Sequence, residues 1–214
     1  MIDSAIMALI LTIFVVLFVS VHAFLDIKMF RANKLKLKSK LKSKPEKSSN
    51  HFLIPQWAKI TAFVPSVVFW ILFLASPLLF YTGVHIEFTP VLMRCPQENV
   101  VQGAGLLLLL MGIVLADWGR ISRGVIAPSL EMPERYALCT QGAYKIVRHP
   151  MYVSYSLFFV GLPLVFLNPL LALCFVGIPG YYRIAQEEER VLTNRFGEQY
   201  SEYQKEVGMF WPKF

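Results

Sequence analysis

Predominantly apolar residues fill three long stretches of this chain, Ile2 to Phe24, Trp57 to Tyr81 and Val100 to Trp118. Each is close to the roughly 20 residues a helix needs to cross a bilayer. Two shorter stretches follow, Pro150 to Leu167 and Pro169 to Tyr182, separated by Asn168-Pro169. That dipeptide is a turn signal, so the pair predicts an antiparallel helical hairpin. Gly161 and Pro163 interrupt its first limb, and Gly177, Pro179 and Gly180 interrupt its second. Proline inside a spanning helix removes a backbone hydrogen bond and bares a carbonyl. Beyond Tyr182 the pattern turns polar. Glu187 to Arg195 keeps helical character with Val191 and Leu192 on one side, and Phe196-Gly197 reads as a stop. Tyr200 and Tyr203 then sit at the spacing of one helical face, as tyrosines anchored at a membrane interface do. The predicted fold is all-α, a polytopic membrane helical bundle of about five transmembrane helices with a cytoplasmic C-terminal helical cap.

Composition agrees. Of 214 residues 56% are hydrophobic and 16% charged, and the mean hydropathy is +0.52, too apolar for an ordinary soluble domain. The first stretch has no cationic n-region and exceeds a usual signal-peptide core, so it reads as a retained span. The net charge of +7 has one source: Lys28 to Lys47 contains nine Lys/Arg and one Glu. A basic run beside a span is a topology determinant attracted to anionic cytoplasmic lipid, and without interleaved aromatic residues it argues against nucleic acid. A cytoplasmic 28–56 loop puts the amino terminus outside. It places 82–99, with Arg94 as its single basic residue, outside as well. Residues 119–148, with Arg120, Arg123, Arg135, Lys145 and Arg148, and the tail from Arg183 then fall inside. The chain divides into 1–118, three spans with the basic loop, and 119–214, where chemistry belongs.

Cys95, Cys139 and Cys174 are odd in number and scattered, and His22, His51, His85 and His149 have no paired spacing, so no metal motif is visible. Arg148-His149-Pro150-Met151-Tyr152 is more suggestive. Proline pushes His149 out of the helical region and suits the first turn of the next span. The free N–H groups there, with Arg148, make a place for a carboxylate or other anion, or else a plain cationic anchor. At the far end of the hairpin Arg183 and Glu187 share a helical face, a surface ion pair at the least. Glu187-Glu188-Glu189 would repel one another, so a cationic partner is expected. Between the two long parts lies Tyr136-Ala137-Leu138-Cys139-Thr140-Gln141-Gly142-Ala143-Tyr144, where Gly142 suits a tight turn or close backbone approach. Tyr136 and Tyr144 are candidates to stack on a flat ring or to sit at the interface.

In order, these pieces resemble the isoprenylcysteine carboxyl methyltransferase family, and more broadly the membrane methyltransferases that include phospholipid N-methyltransferases. The pattern is Leu138, Gly142-Ala-Tyr144, Arg148-His149-Pro150-Met-Tyr152, Arg183 with Glu187-Glu188-Glu189, Phe196-Gly197-Glu-Gln-Tyr200-Ser-Glu-Tyr203, and Pro212, over about two-fifths of the chain. The resemblance implies S-adenosylmethionine as cofactor. Tyr136, Ala137, Leu138, Cys139, Tyr144, His149, Pro150, Met151, Tyr152 and Glu187 would bind it, and Arg183 would hold the acceptor. Many members carry His at the position of Tyr136 and Val at that of Cys139. The implied acceptor is a lipophilic isoprenylcysteine-type carboxylate from the bilayer, already ionised and in need of no base. A phospholipid amine or a small thiol is the alternative, for which Glu188 or His149 would take the proton. Readings of other classes are a sterol-type membrane reductase, with no glycine-rich dinucleotide fingerprint in view, and a membrane scaffold, which leaves the acidic run without a role.

Overall fold

The structure is a computed structural model that describes residues 1–40, 52–84, 96–123 and 137–213, and the regular structure among them is helical. In chain order the helices are α1 (Ser4–Lys40), α2 (Gln56–Thr82), α3 (Glu98–Arg123), α4 (Pro150–Phe166), α5 (Gly177–Phe196) and α6 (Glu198–Glu206). Short 3-10 turns occupy Gly142–Lys145 and Pro169–Val176. Among the described residues, three helices are long and apolar enough to cross a membrane: Ser4–Lys28 within α1, all of α2 and all of α3. This is an integral membrane protein.

The boundaries differ from the expected ones in two places. The expected basic loop does not begin at Lys28, because α1 continues to Lys40. Lys, Leu and Ala are good helix formers, and no Gly or Pro intervenes before Pro45. Residues 41–47 of the basic run lie outside the described residues. The second hairpin limb is likewise not one span from Pro169 to Tyr182. The chain does reverse at Asn168, whose side chain accepts from the Leu170 amide at 3.0 Å while Leu167 is left-handed at φ 49. Pro169–Val176 then winds as 3-10, and α5 starts at Gly177 and runs through Arg183 into the polar segment. The residues read as interruptions mark its start: Pro179 falls in the first turn, where a missing N–H has no partner to lose. α4, with 17 residues, spans about 26 Å against a hydrocarbon thickness of about 30 Å. Five full crossings are therefore not established by helix length.

Helices in lipid gain little from burying apolar surface against each other, so close packing and small residues decide the bundle. α1 turns Met7, Leu11, Phe14 and Phe18 inward. They meet Phe69 and Phe73 of α2, Leu109 and Ile113 of α3, and Phe158, Phe159 and Leu162 of α4. Ile6, Leu9, Ile13, Ile71, Leu78 and Val114 stay exposed, the side that faces lipid. α3 and α4 cross most closely at Gly105 and Gly161. A Cβ on Gly105 would stand 2.8 Å from the Val165 amide nitrogen and 2.9 Å from the Gly161 carbonyl. Gly112 makes room for the Phe158 ring. Buried Gln102 donates to the Val165 carbonyl at 3.1 Å and accepts from the Ile2 amide at 2.7 Å, tying α4 and α3 to the segment that leads into α1.

A second, smaller core forms beyond the apolar bundle. Val191, Leu192, Tyr200, Tyr203 and Val207 pack together with Phe52, Leu138 and Phe196. Tyr200 and Tyr203 are thus core residues rather than interface anchors, with Tyr200 only 1% exposed. Gly197, at φ 54, allows the bend that folds α6 back on α5.

The α3–α4 contact predicts a sharp position dependence. Gly105→Leu should destabilise the protein by about 1–3 kcal/mol through overpacking, whereas Gly103→Leu, with nothing within 4 Å, should cost nothing. Thermal unfolding in detergent would measure both, and equal midpoints would show that the two helices are not in contact there.

Candidate functional site

The two halves of the sequence motif meet at the amino-terminal mouth of α4. His149 has non-helical backbone (φ −125, ψ 61) and Pro150 opens the helix, as proline at that position dictates. The tail locks this entrance from outside the bundle: the Arg148 amide donates to the Gly208 carbonyl at 2.9 Å and the His149 amide to the Met209 carbonyl at 3.2 Å. Arg148 faces α5. Its Nε and Nη2 donate to the two carboxylate oxygens of Glu189 at 2.7 and 3.1 Å, a bidentate fork. Its Nη1 reaches the carbonyls of Gln204 and Val207. His149 Nε2 lies 3.1 Å from Glu189 Oε1, and Gln204 Nε2 donates to Glu189 Oε2 at 3.0 Å. The anion expected beside Arg148 and His149 is therefore a side chain of the same molecule.

The three glutamates have three different environments. Glu188 accepts from the Tyr152 hydroxyl at 2.5 Å and stands 3.6 Å from His149 Nδ1. Glu187 is paired with Arg190, at 2.7 Å from Nη2, and accepts from the Leu53 amide at 2.6 Å. The cationic partner expected for the acidic run is thus supplied by Arg148, His149 and Arg190. Arg183 shares the Glu187 face, yet its hydrogen bond is to Gln186 Oε1 at 3.3 Å.

Burial and pairing set the protonation of this cluster. His149, 6% exposed, is opposed by desolvation, but its hydrogen bonds to Glu188 and Glu189 outweigh that and hold its pKa above the ordinary 6.5. Glu189 is likewise opposed by burial, and His149 and Arg148 bring it down to about 2. Arg190 holds Glu187 below the usual carboxylate range, against burial and with help from the Leu53 amide.

The other sequence candidates spread around this centre. Tyr152 stacks between His149 and Tyr181, at ring distances of 5.6 and 5.0 Å. Pro150 and Met151 turn the opposite way, onto Gly119 of α3. Cys139 Sγ lies 3.4 Å from the Ser122 carbonyl at the end of α3, while Leu138 packs against the smaller core. Gly142, at φ 61, passes so close to Ser122 that a Cβ would overlap its Oγ, which is the close approach expected of it. The Tyr144 carbonyl accepts from the Tyr203 hydroxyl. Tyr136 lies outside the described residues. Sequence reasoning missed Tyr181, Gln204 and Phe210, the last 5.7 Å from the His149 ring. Tyr181 stands seven residues before Glu188, two helical turns along one face, a signal the periodicity carries. Phe210 follows no such pattern.

Chemically, this is a site at the end of the apolar bundle with buried carboxylates, an imidazole, two guanidinium groups and flat aromatic faces. Such a set suits a zwitterion with a planar ring, and each carboxylate already holds a cationic or donor group of the chain itself.

Comparison with known proteins bears on the same segment. The phospholipid methyltransferase family matches residues 101–199, from α3 to the start of α6. Protein-S-isoprenylcysteine O-methyltransferase B of Arabidopsis thaliana is 31% identical over 114 residues, 50% of this chain and 57% of that protein. Protein-S-isoprenylcysteine O-methyltransferase of Xenopus laevis is 33% identical over 115 residues, 48% of this chain and 38% of the relative. Methanethiol S-methyltransferase of a Pseudomonas strain is 38% identical over 84 residues, 38% of this chain and 31% of the relative. The matches span about half the length of these relatives or less. The resemblance to the isoprenylcysteine and phospholipid methyltransferases carried by the motif order is shown by these matches.

Glu189 gives two measurable consequences. Glu189→Gln leaves Arg148 without its anion and His149 with Glu188 alone, and should cost about 3 kcal/mol, read as a lowered unfolding midpoint. The pH dependence follows from the shifts. The Glu189 contribution is present above 4.5 and is lost as pH falls from there toward about 2. The His149 contribution is complete below 6.5 and is lost as pH rises through its raised value. Unfolding midpoints should flatten on the acid side in Glu189→Gln, while Glu188 still supports His149 on the alkaline side, and an unchanged acid limb would contradict the clamp.

Proposed function

We propose that this protein is an S-adenosylmethionine-dependent membrane methyltransferase, acting on a lipophilic acceptor that carries an isoprenylcysteine-type carboxylate. The observation that supports it is the meeting of Arg148, His149 and Tyr152 with Glu187, Glu188 and Glu189 at the end of an apolar bundle, within the segment that matches the family. The catalytic region is 119–214, and 1–118 serves as its membrane platform. The site and carboxyl terminus face the cytoplasm, the amino terminus lies outside, and the basic residues from Lys28 rest against anionic lipid.

His149 to Tyr152, Tyr144 and the 136–139 segment line the cofactor in this reading, and Glu187 takes its ammonium in place of Arg190 and the Leu53 amide. S-adenosylmethionine would supply there a methyl group activated on a sulfonium. The chain's own contribution is placement and exclusion of water. Arg183 orients the acceptor carboxylate, which needs no base. If the acceptor is instead a small thiol, a reading favoured by the 38% identity to a methanethiol S-methyltransferase, a proton must leave. Glu188, hydrogen-bonded to Tyr152, is the group to receive it.

Titration calorimetry of the purified chain with S-adenosylmethionine tests the cofactor. Wild type should bind, Glu187→Ala should bind at least ~10-fold more weakly for loss of a charge-assisted contact, and an unchanged affinity would sink the role of Glu187. A radiolabelled methyl-transfer assay with a farnesylcysteine analogue, phosphatidylethanolamine and methanethiol identifies the acceptor. Base-labile product from the first is expected; label only in the lipid amine or only in the thiol would overturn the carboxylate assignment.

A further inference from the structure

Three of the four tryptophans, Trp57, Trp118 and Trp211, are exposed at one level of the molecule, whereas Trp70 packs inside the bundle against Phe18 and Phe158. Helix contacts fix that level. Gly180 of α5 stands against Ala58 and Ala62 of α2, and Glu187 bonds Leu53 just before α2 begins. The two helices are therefore antiparallel, and exposed Tyr182 comes level with Trp57 in the first turn of α2. Its neighbour Tyr181 stacks on Tyr152 in the first turn of α4 at 5.0 Å. Gly119 lies against Pro150 and Met151, which brings Trp118 to the same height. Phe210 meets both Tyr182 and His149, at ring distances of 5.8 and 5.7 Å, so the tail reaches this level too. Beyond it the exposed side chains of the bundle are plain hydrocarbon, such as Phe63, Ile71 and Leu74 on α2 and Leu107 and Val114 on α3. Tryptophan and tyrosine gather where such a surface meets water, because an apolar ring with one polar N–H or O–H fits the headgroup layer.

The tail cannot turn its tryptophan inward. The Gly208 and Met209 carbonyls accept from the amides of Arg148 and His149 at 2.9 and 3.2 Å. Lys213 Nζ donates to the carbonyls of Gln204 and Lys205 at 2.8 and 3.3 Å, at the end of α6. Between these ties the chain turns so tightly that a Cβ on Gly208 would overlap the Trp211 carbonyl oxygen. Phe210 points toward His149, and Trp211 is left 83% exposed, with no ring or hydrogen-bond partner among the described residues. A pinned turn thus holds out a large ring that nothing in the chain uses.

We infer that the 208–211 turn anchors the tail in the bilayer interface, with the Trp211 indole in the headgroup layer in line with Trp57, Trp118 and Tyr182. The partner is the lipid surface itself, because the turn continues the aromatic rim of the lipid-facing wall. Burial of the indole there holds the tail on the mouth of α4, keeping the Arg148 and His149 amides bonded and Phe210 on His149. The entrance to the site is closed by the membrane as well as by the chain, whatever cofactor or acceptor the site takes.

The full chain in phosphatidylcholine vesicles carries the test. With Trp57→Phe, Trp70→Phe and Trp118→Phe combined, Trp211 is the sole tryptophan. Its emission should be quenched more by lipid brominated near the headgroup end of the acyl chain than by lipid brominated near the chain terminus, and little by iodide in the water. Iodide quenching as strong as that of free indole, or stronger quenching by the deep bromine, overturns the anchor. So does an indole shielded from iodide yet untouched by either lipid, which a second protein copy would produce. Should that variant fail to fold, hydrogen–deuterium exchange decides on chains that keep the other tryptophans. Trp211→Ser should speed exchange of the Arg148 and His149 amides in vesicles by ~10-fold, for the loss of a half-buried aromatic side chain. Trp211→Tyr should keep them slow, since tyrosine also suits the interface. Unchanged exchange in Trp211→Ser, or equally fast exchange in both variants, overturns the proposal.

Discussion

Glu189 joins three parts of the molecule through one carboxylate. Its two oxygens accept from Arg148, His149 and Gln204, so the entrance of α4, the shaft of α5 and the side of α6 share one half-buried charge. Such a group is costly to bury and tolerable only because every oxygen is hydrogen-bonded and the neighbouring cations are themselves out of water. The tail's backbone bonds to Arg148 and His149 close the same junction from its other side. Tyr152 and Glu188 are positioned as a consequence, since they stand one helical position or turn from the clamp on each side. The candidate chemistry thus rests on an ion pair that itself need not touch a ligand.

The bundle beneath works by the opposite principle. Among the apolar helices, glycines bring backbones together at Gly105 and Gly161, and Gly112 admits the Phe158 ring. α5 connects the two regimes as a single helix. Its first turns pack Gly177 on Phe159 and Gly180 on Ala58 and Thr61, and its later turns carry the three glutamates. Side-chain fit deep in the bundle therefore fixes the rotation with which α5 presents its charges. The exposed aromatics Trp57, Trp118, Tyr182 and Trp211 mark the level at which the two regimes meet.

Much of this was legible in the chain, and the failures have causes. Asn168-Pro169 announced the reversal, and Pro150 announced the start of α4, because proline's fixed φ and missing N–H act locally. The same proline and glycine signals misled at Gly177 to Gly180, where they open a helix instead of breaking one, and only the packing of Phe159 and α2 tells these apart. Tyr200 and Tyr203 read as interface residues from composition, yet the bend at Gly197 folds them under α5. His22 and Asp117, whose side chains approach to 3.1 Å, lie 95 positions apart in the chain, too far for any spacing argument to join them.

By itself the sequence determined that the chain is a helical membrane protein, which segments are long enough to cross, and which polar residues are gathered at the two ends of the hairpin. Those follow from length, periodicity and local backbone chemistry. Only the tertiary structure decided which glutamate serves which partner. Consecutive residues on a helix point about 100° apart, so Glu187, Glu188 and Glu189 are nearly equivalent as letters. They become a pair for Arg190, an acceptor for Tyr152 and a clamp on Arg148 and His149 once the glycines of α5 have set its rotation against the bundle.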